Sequence, residues 1–256
     1  MQNNNSGANL KIRYRLPDTV RGICVMGMIL YHTLFDVIYF FNLEVPQGLL
    51  FFVNVIRDAG AALFILLSGF TFSLGRHHLR RGLILTGAGA VITVATRFVM
   101  PEAFIIFGIL SFMGIACLIM IPAERVLRRV PSVAGLLISL LIFLFLFECN
   151  YGYCGLYGIQ LFLFPRILYR NYLTAFIGFP FEGFVSGDYF GIFPWIFVYF
   201  AGYFIFRIVK RSENADKILF FGIPFLEKTG RYSLYIYLIH QPVIYLIVML
   251  FSRLLL

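Results

Sequence analysis

The chain has 256 residues, of which 61% are hydrophobic and 13% charged, and its mean hydropathy is +0.88. Soluble domains are about half apolar and about a quarter charged, so this composition excludes a soluble globule and describes an integral membrane protein. A formal net charge of +9 would suggest a nucleic-acid partner in a soluble chain. Here the basic residues sit between apolar runs, where they set membrane orientation, and no nucleic acid is expected.

Residues 1–19 are polar and basic (Lys11, Arg13, Arg15) and form an N-terminal tail. The apolar run after them is too long for a signal peptide and has no small-residue cleavage site, so it reads as an uncleaved first span. About 20 apolar residues are needed per crossing. Segments near 20–41, 52–74, 82–99, 103–121, 133–148, 190–208 and 232–252 qualify. The expected fold is an all-α polytopic transmembrane helix bundle, with residues 20–256 as one membrane domain in a lipid bilayer.

Charge alternates along this order. One side collects Lys11, Arg13, Arg15 and Arg21, then Arg76, Arg80 and Arg81, then Arg125, Arg128 and Arg129, and finally Arg207, Lys210, Arg211, Lys217, Lys228 and Arg231. The other keeps Arg57, Arg97, Arg166, Arg170 and Arg253. By the positive-inside rule the N-terminus is expected in the cytoplasm and the C-terminus outside, in a multi-pass protein of the plasma (inner) membrane.

Residues 149–189 are rich in Phe, Tyr and Gly and are interrupted by Pro165 and Pro180. One extra crossing there would carry the following basic cluster to the wrong side. Two half-helices or an outer aromatic lid keep the parity, since irregular backbone is tolerated where protein buries it. Cys149 and Cys154 fall on this outer side, where a disulfide is open to them; Cys24 and Cys117 are small apolar fillers. No metal-ligand cluster, phosphate-binding glycine fingerprint or nucleophile elbow is present, and no metal is expected.

Two spans carry groups that membranes reject. An ionisable side chain in the hydrocarbon costs about 2.5–3.5 kcal/mol on insertion scales. Arg21 and His32 are eleven positions apart, so they lie within about 20° on a helix and about 16 Å apart along it. Asp36 follows His32 by one turn, near enough to approach the imidazole, and Asp18 sits at the cytoplasmic start of the same stripe. In the last span His240 is at a depth similar to that of His32. Pro242 removes the helical partner of the Leu238 carbonyl beside it. Ser233, Tyr237 and His240 share one face there, with Gln241 adjacent.

Five stretches occur in order: RYRLPDTVRGICVMGMILYHTLFD, FILLSGFTFSLGRHHLRRG, FGILSFMGIACLI, SGDYFGIFPWIFVYFAGYFIF and GRYSLYIYLIHQP. Together, from Ile12 to Val243, they resemble the bacterial homologues of the lysosomal heparan-α-glucosaminide N-acetyltransferase. The ten residues between Arg21 and His32 also resemble the spacing in bacterial membrane O-acyltransferases that modify surface polysaccharides. The functional arginine and histidine of that group map onto Arg21 and His32. The resemblance implies transfer of an acetyl (acyl) group from cytoplasmic acyl-CoA, as co-substrate, to a sugar or amino sugar of a glycan or glycolipid on the far side. In the lysosomal enzyme the proposed catalytic histidine follows the first conserved membrane helix. Here residues 39–47, YFFNLEVPQ, hold no histidine, and that role falls to His32.

The residue chemistry fits this expectation. A neutral imidazole takes a proton well near pH 7, and Asp36 would fix its tautomer and stabilise the imidazolium. CoA phosphates call for arginines, which Arg21, Arg80 and Arg81 offer, with Asp18 and Ser68 beside them. At the outer end Asp188, Tyr189 and Trp195 offer a carboxylate and aromatic faces for a sugar, supported by Tyr237, His240 and Gln241. The competing readings are a proton-coupled transporter or carrier that uses the His/Asp pair, and a non-catalytic assembly subunit.

Overall fold

The computed structural model describes residues 13–156 and 159–255; Lys11 and most of the tail lie outside the described residues. Seven helical segments are long and apolar enough to cross a membrane. Helices α1 (Leu16–Phe40), α2 (Gln47–Phe72), α3 (His78–Val99) and α4 (Ile109–Leu127) supply the first four. They are followed by α5 (Ser132–Phe145), which a short 3-10 turn extends to Tyr151, then α7 (Ile192–Val209) and α10 (Ser233–Leu255). The all-α polytopic bundle expected from hydropathy is the observed fold.

Several boundaries differ from the expected ones, each for a local reason. α1 starts at Leu16, inside the expected tail, because Pro17 suits a first turn that has no use for its missing N–H, and Asp18 opposes the positive end of the helix dipole. α4 starts at Ile109, not 103. Pro101–Ala103 close one 3-10 turn, and Asp188 Oδ2 accepts the Ile109 N–H at 3.0 Å, which fixes where the helix begins. The last connection is not a loop: α8 (Ala215–Phe220) and α9 (Pro224–Arg231) fold back against α1.

The basic connections gather at one end of the bundle. Arg15 Nε donates to Glu227 at 2.7 Å, and Arg207 donates to the carbonyls of Leu127 and Val130 at 2.9 and 3.1 Å. Cys117 Sγ lies 3.5 Å from the carbonyl of His78, which ties α4 to the start of α3.

At the opposite end residues 149–189 form a cap, in which no crossing is present among the described residues. It holds an antiparallel hairpin of β1 (Tyr153–Leu156) and β2 (Ile159–Leu163), and a six-residue helix α6 (Tyr172–Ile177) that starts from an Asn171–Thr174 capping box. Tyr169 donates to the Cys149 carbonyl at 2.6 Å and Tyr189 to that of Ala175 at 2.5 Å, so hydroxyls add to the backbone bonds that hold the cap together. Cys149 and Cys154 are both buried free thiols.

The core lies between α2, α4 and α7, around Ile65, Phe72, Phe112, Met120, Tyr199 and Tyr203. Lipid gives helices no hydrophobic reason to associate, so small residues bring backbones together. Gly69 and Gly202 sit against the carbonyls of Tyr199 and Leu66, and Gly22 and Gly230 against those of Leu226 and Asp18. Gly230→Ala places a methyl group on the Asp18 carbonyl and pushes α9 off α1. We expect a loss of about 1–3 kcal/mol, read as a lower Tm of purified protein. Gly87→Ala, in the interior of α3 with open space around it, should not lower Tm.

Candidate active site

A cleft of about 840 Å³ opens at the arginine-rich end. Arg13, Arg21, Arg80, Arg81 and Arg231 line its mouth together with Asp18, and Leu110, Met113 and Tyr237 also line it. Leu110 belongs to the first turn of α4, whose N-terminus lies at the cap end, so the cleft runs most of the way through the bundle. Beyond it a void of about 10 Å³ shares Leu110 and Tyr237 and is lined by Asp188. Tyr237 donates to Asp188 Oδ2 at 3.1 Å and closes the far end.

Charges at the mouth are unequal in what they have left to offer. Asp18, 5% exposed, is already shared: it accepts from Arg21 at 2.8 Å and from Arg13 Nε at 2.7 Å, with Arg231 3.9 Å away. Glu227 pairs with Arg15 and Arg231; the Arg15 hydrogen bond, with Arg231 assisting, holds its carboxyl below the usual range. Among the described residues the Arg81 guanidinium donates only to Ser68 Oγ, at 3.2 Å, and exposed Arg80 has no partner. Asp18 therefore orients arginines, whereas Arg80 and Arg81 keep donors free for an anion.

Deeper in, the two intramembrane histidines meet. The rings of His32 on α1 and His240 on α10 have centroids 5.0 Å apart, and the ring of Tyr237 lies 5.5 Å from that of His240. A line of rings thus joins the deep end of the cleft to His32. His240 Nδ1 donates to the Tyr237 carbonyl at 2.7 Å, not to the Leu238 carbonyl that Pro242 frees. Its Nε2 is buried and unpaired among the described residues.

Asp36 does not engage His32. Its carboxylate, 5% exposed, accepts the Gln241 amide at 3.2 Å on both oxygens, and among the described residues no hydrogen bond joins it to the imidazole. Spacing on one helix put the two side chains on one face, but α10 supplies a competing donor. Asp36 and Gln241 thereby pin α1 to α10 next to the histidine pair.

Of the three outer candidates, Asp188 reaches the site, with Ile109 N and Tyr237 Oη as donors. Burial pushes its carboxyl above the usual range, opposed by those two hydrogen bonds and by the charge of Arg57. Tyr189 is spent on holding the cap, and Trp195, 9% exposed, packs in the core between Phe143 and Phe190. Trp195 presents no open face to a sugar. Arg57 was not anticipated as a site residue. Its Nη1 donates to Tyr31 Oη at 3.3 Å, and the Tyr31 ring stands edge-on to His32 at 5.3 Å. An arginine inside an apolar segment is itself the signal.

The bundle thus holds an arginine-lined cleft whose far end, at Tyr237, adjoins the His240–His32 pair. Residues 13–242 match the sequence model of the family described as heparan-alpha-glucosaminide N-acetyltransferase, catalytic. The chain belongs to that family and is a transmembrane transferase of the acetyltransferase type. No individual curated protein and no solved structure matches it.

Proposed function

We propose that the protein transfers an acetyl group from cytoplasmic acetyl-CoA to a sugar or amino sugar on the other side of a plasma (inner) membrane, with its N-terminus cytoplasmic. One observation carries this reading: the cleft opens among arginines and ends at Tyr237, against the His240–His32 pair. A site of this volume suits a ligand of cofactor size. Arg80 and Arg81 would take the CoA phosphates, with Arg21 held ready by Asp18. His32 would remove the proton from the acceptor N–H or O–H as that atom attacks the thioester carbonyl; the C–S bond then breaks and the CoA thiolate leaves with a proton. Asp36 serves as a positioning residue, through Gln241, and keeps His240 against His32.

The test is binding before turnover. Acetyl-CoA should raise the Tm of the purified protein, and unrelated nucleotides should not. Arg80→Gln and Arg81→Gln should each lose a charge-assisted contact of roughly 1.5–3 kcal/mol, which weakens acetyl-CoA binding about ten-fold or more. Binding should also fall with salt. Unchanged affinity in both variants would remove the cleft as the donor site.

A further inference from the structure

α2 carries a charge pair that the chemistry above does not use. Arg57 and Asp58 lie ten and eleven residues beyond Gln47, hence about 15 Å into a helix of about 39 Å. Their side chains are 47% and 45% exposed. On the same half of α2 the exposed neighbours include Phe51, Phe52, Val55 and Ile56, with Asn54 the one polar side chain among residues 51–56. Hydrocarbon does not solvate an ion pair, and charges at such depth are kept where a polar partner meets them.

The guanidinium has five N–H donors. Nε and Nη2 spend one each on Asp58 Oδ1 at 2.8 Å, and Nη1 spends one on Tyr31 at 3.3 Å. Two remain without a partner among the described residues. On its inner side Arg57 adjoins His32 through Tyr31, and its charge reaches Asp188 at the far end of the cleft. The half-exposed guanidinium is thus one ring removed from His32, and Arg57 does not line the donor cleft.

The geometry points to Arg57 as the binding site for the phosphate of a lipid-borne acceptor, which enters sideways along the α1–α2 seam. A guanidinium fork matches phosphate in two parallel hydrogen bonds. The apolar half of α2 accommodates the anchor, and a saccharide carried on that phosphate would be presented to His32. This inference rests on the acetyltransferase reading and supplies its acceptor class: an acidic, membrane-anchored saccharide in place of a free sugar. The exposed Arg57–Asp58 pair is also self-complementary, so a second copy of the chain is the alternative occupant that the test must separate.

The full chain and its Arg57→Gln and Arg57→Lys variants are placed in phosphatidylcholine nanodiscs doped with phosphatidic acid, and retained lipid is counted by native mass spectrometry. Glycerol phosphate is added as a water-borne competitor. The parent should retain phosphatidic acid roughly ten-fold better than Arg57→Gln, Arg57→Lys should fall between, and glycerol phosphate should not displace it. Equal retention in parent and Arg57→Gln overturns the site. Displacement by glycerol phosphate overturns the lipid anchor. A dimer lost in Arg57→Gln assigns the pair to a second copy and overturns the proposal as well. Acetyl-CoA thermal stabilisation, measured on the same samples, reports the donor cleft separately. Its absence in the parent defeats the transferase reading, while lipid retention is scored independently.

Discussion

His32→Ala should abolish transfer of labelled acetyl from acetyl-CoA in proteoliposomes and leave acetyl-CoA binding nearly intact. In the proposed mechanism the imidazole acts on the acceptor's proton, and a positioned base contributes about 10²–10⁴-fold to such a step. The cationic mouth, by contrast, does not include His32. Truncation at this site should also be tolerated in folding. Among the described residues His32 makes no hydrogen bond that would be orphaned, whereas His240 ties its own helix through the Tyr237 carbonyl. His240→Ala is therefore the informative control: it should lose folded protein before it loses specific activity. Asp36→Asn should fall between the two. The amide still contacts Gln241, but the charge that two helices share is gone. Near-parent turnover in His32→Ala, normalised to folded protein, would sink the mechanism. A reversed order of damage would pass the role of base to His240.

What the sequence makes readable here is what one helix, taken alone, determines. Hydropathy locates the spans because each must be apolar over its own length, and Arg21 and His32 share a face because helical pitch puts them there. The depth match of His32 and His240 is readable for the same reason, and the rings do meet. Whatever depends on a second element stays hidden. Asp36 answers to Gln241 on another helix, 205 residues away. The start of α4 is set by Asp188, 79 residues downstream. α9 is short and strongly amphipathic, and its docking onto α1 through Gly22 and Gly230 leaves no trace in a hydropathy scan. The hairpin in the cap was masked by aromatic residues that suit an interface and a strand alike. Arg57 stays hidden because a charge rule that counts sides treats an intramembrane arginine as a loop residue.

Asp188→Ala should be the most destabilising of the polar substitutions, because one carboxylate closes two contacts. It caps the first turn of α4 and bonds the hydroxyl of Tyr237 on α10. Loss of a helix cap costs about 0.5–2 kcal/mol, and a buried hydroxyl left unpaired costs about 1–3 kcal/mol. Together they predict roughly 2–4 kcal/mol, seen as a marked drop in Tm. Asp188→Asn keeps an acceptor oxygen and should lose much less. The two substitutions also differ in pH dependence. Burial raises the Asp188 pKa in the folded state, so the folded protein binds this proton more tightly than the unfolded chain. Its contribution is therefore fully present below the ordinary carboxylate pKa and is lost as pH rises through the raised value. Asp188→Asn should flatten the Tm profile over that window. An unchanged slope would mean that the carboxylate is not desolvated as the structure has it. Function should follow the same contact: with Tyr237 released, the far end of the cleft is no longer sealed, and water can compete with the acceptor for the thioester. Acetyl-CoA hydrolysis without acceptor should then rise relative to transfer in Asp188→Ala. If both rates fall in proportion, Asp188 is a cap for α4 and nothing more.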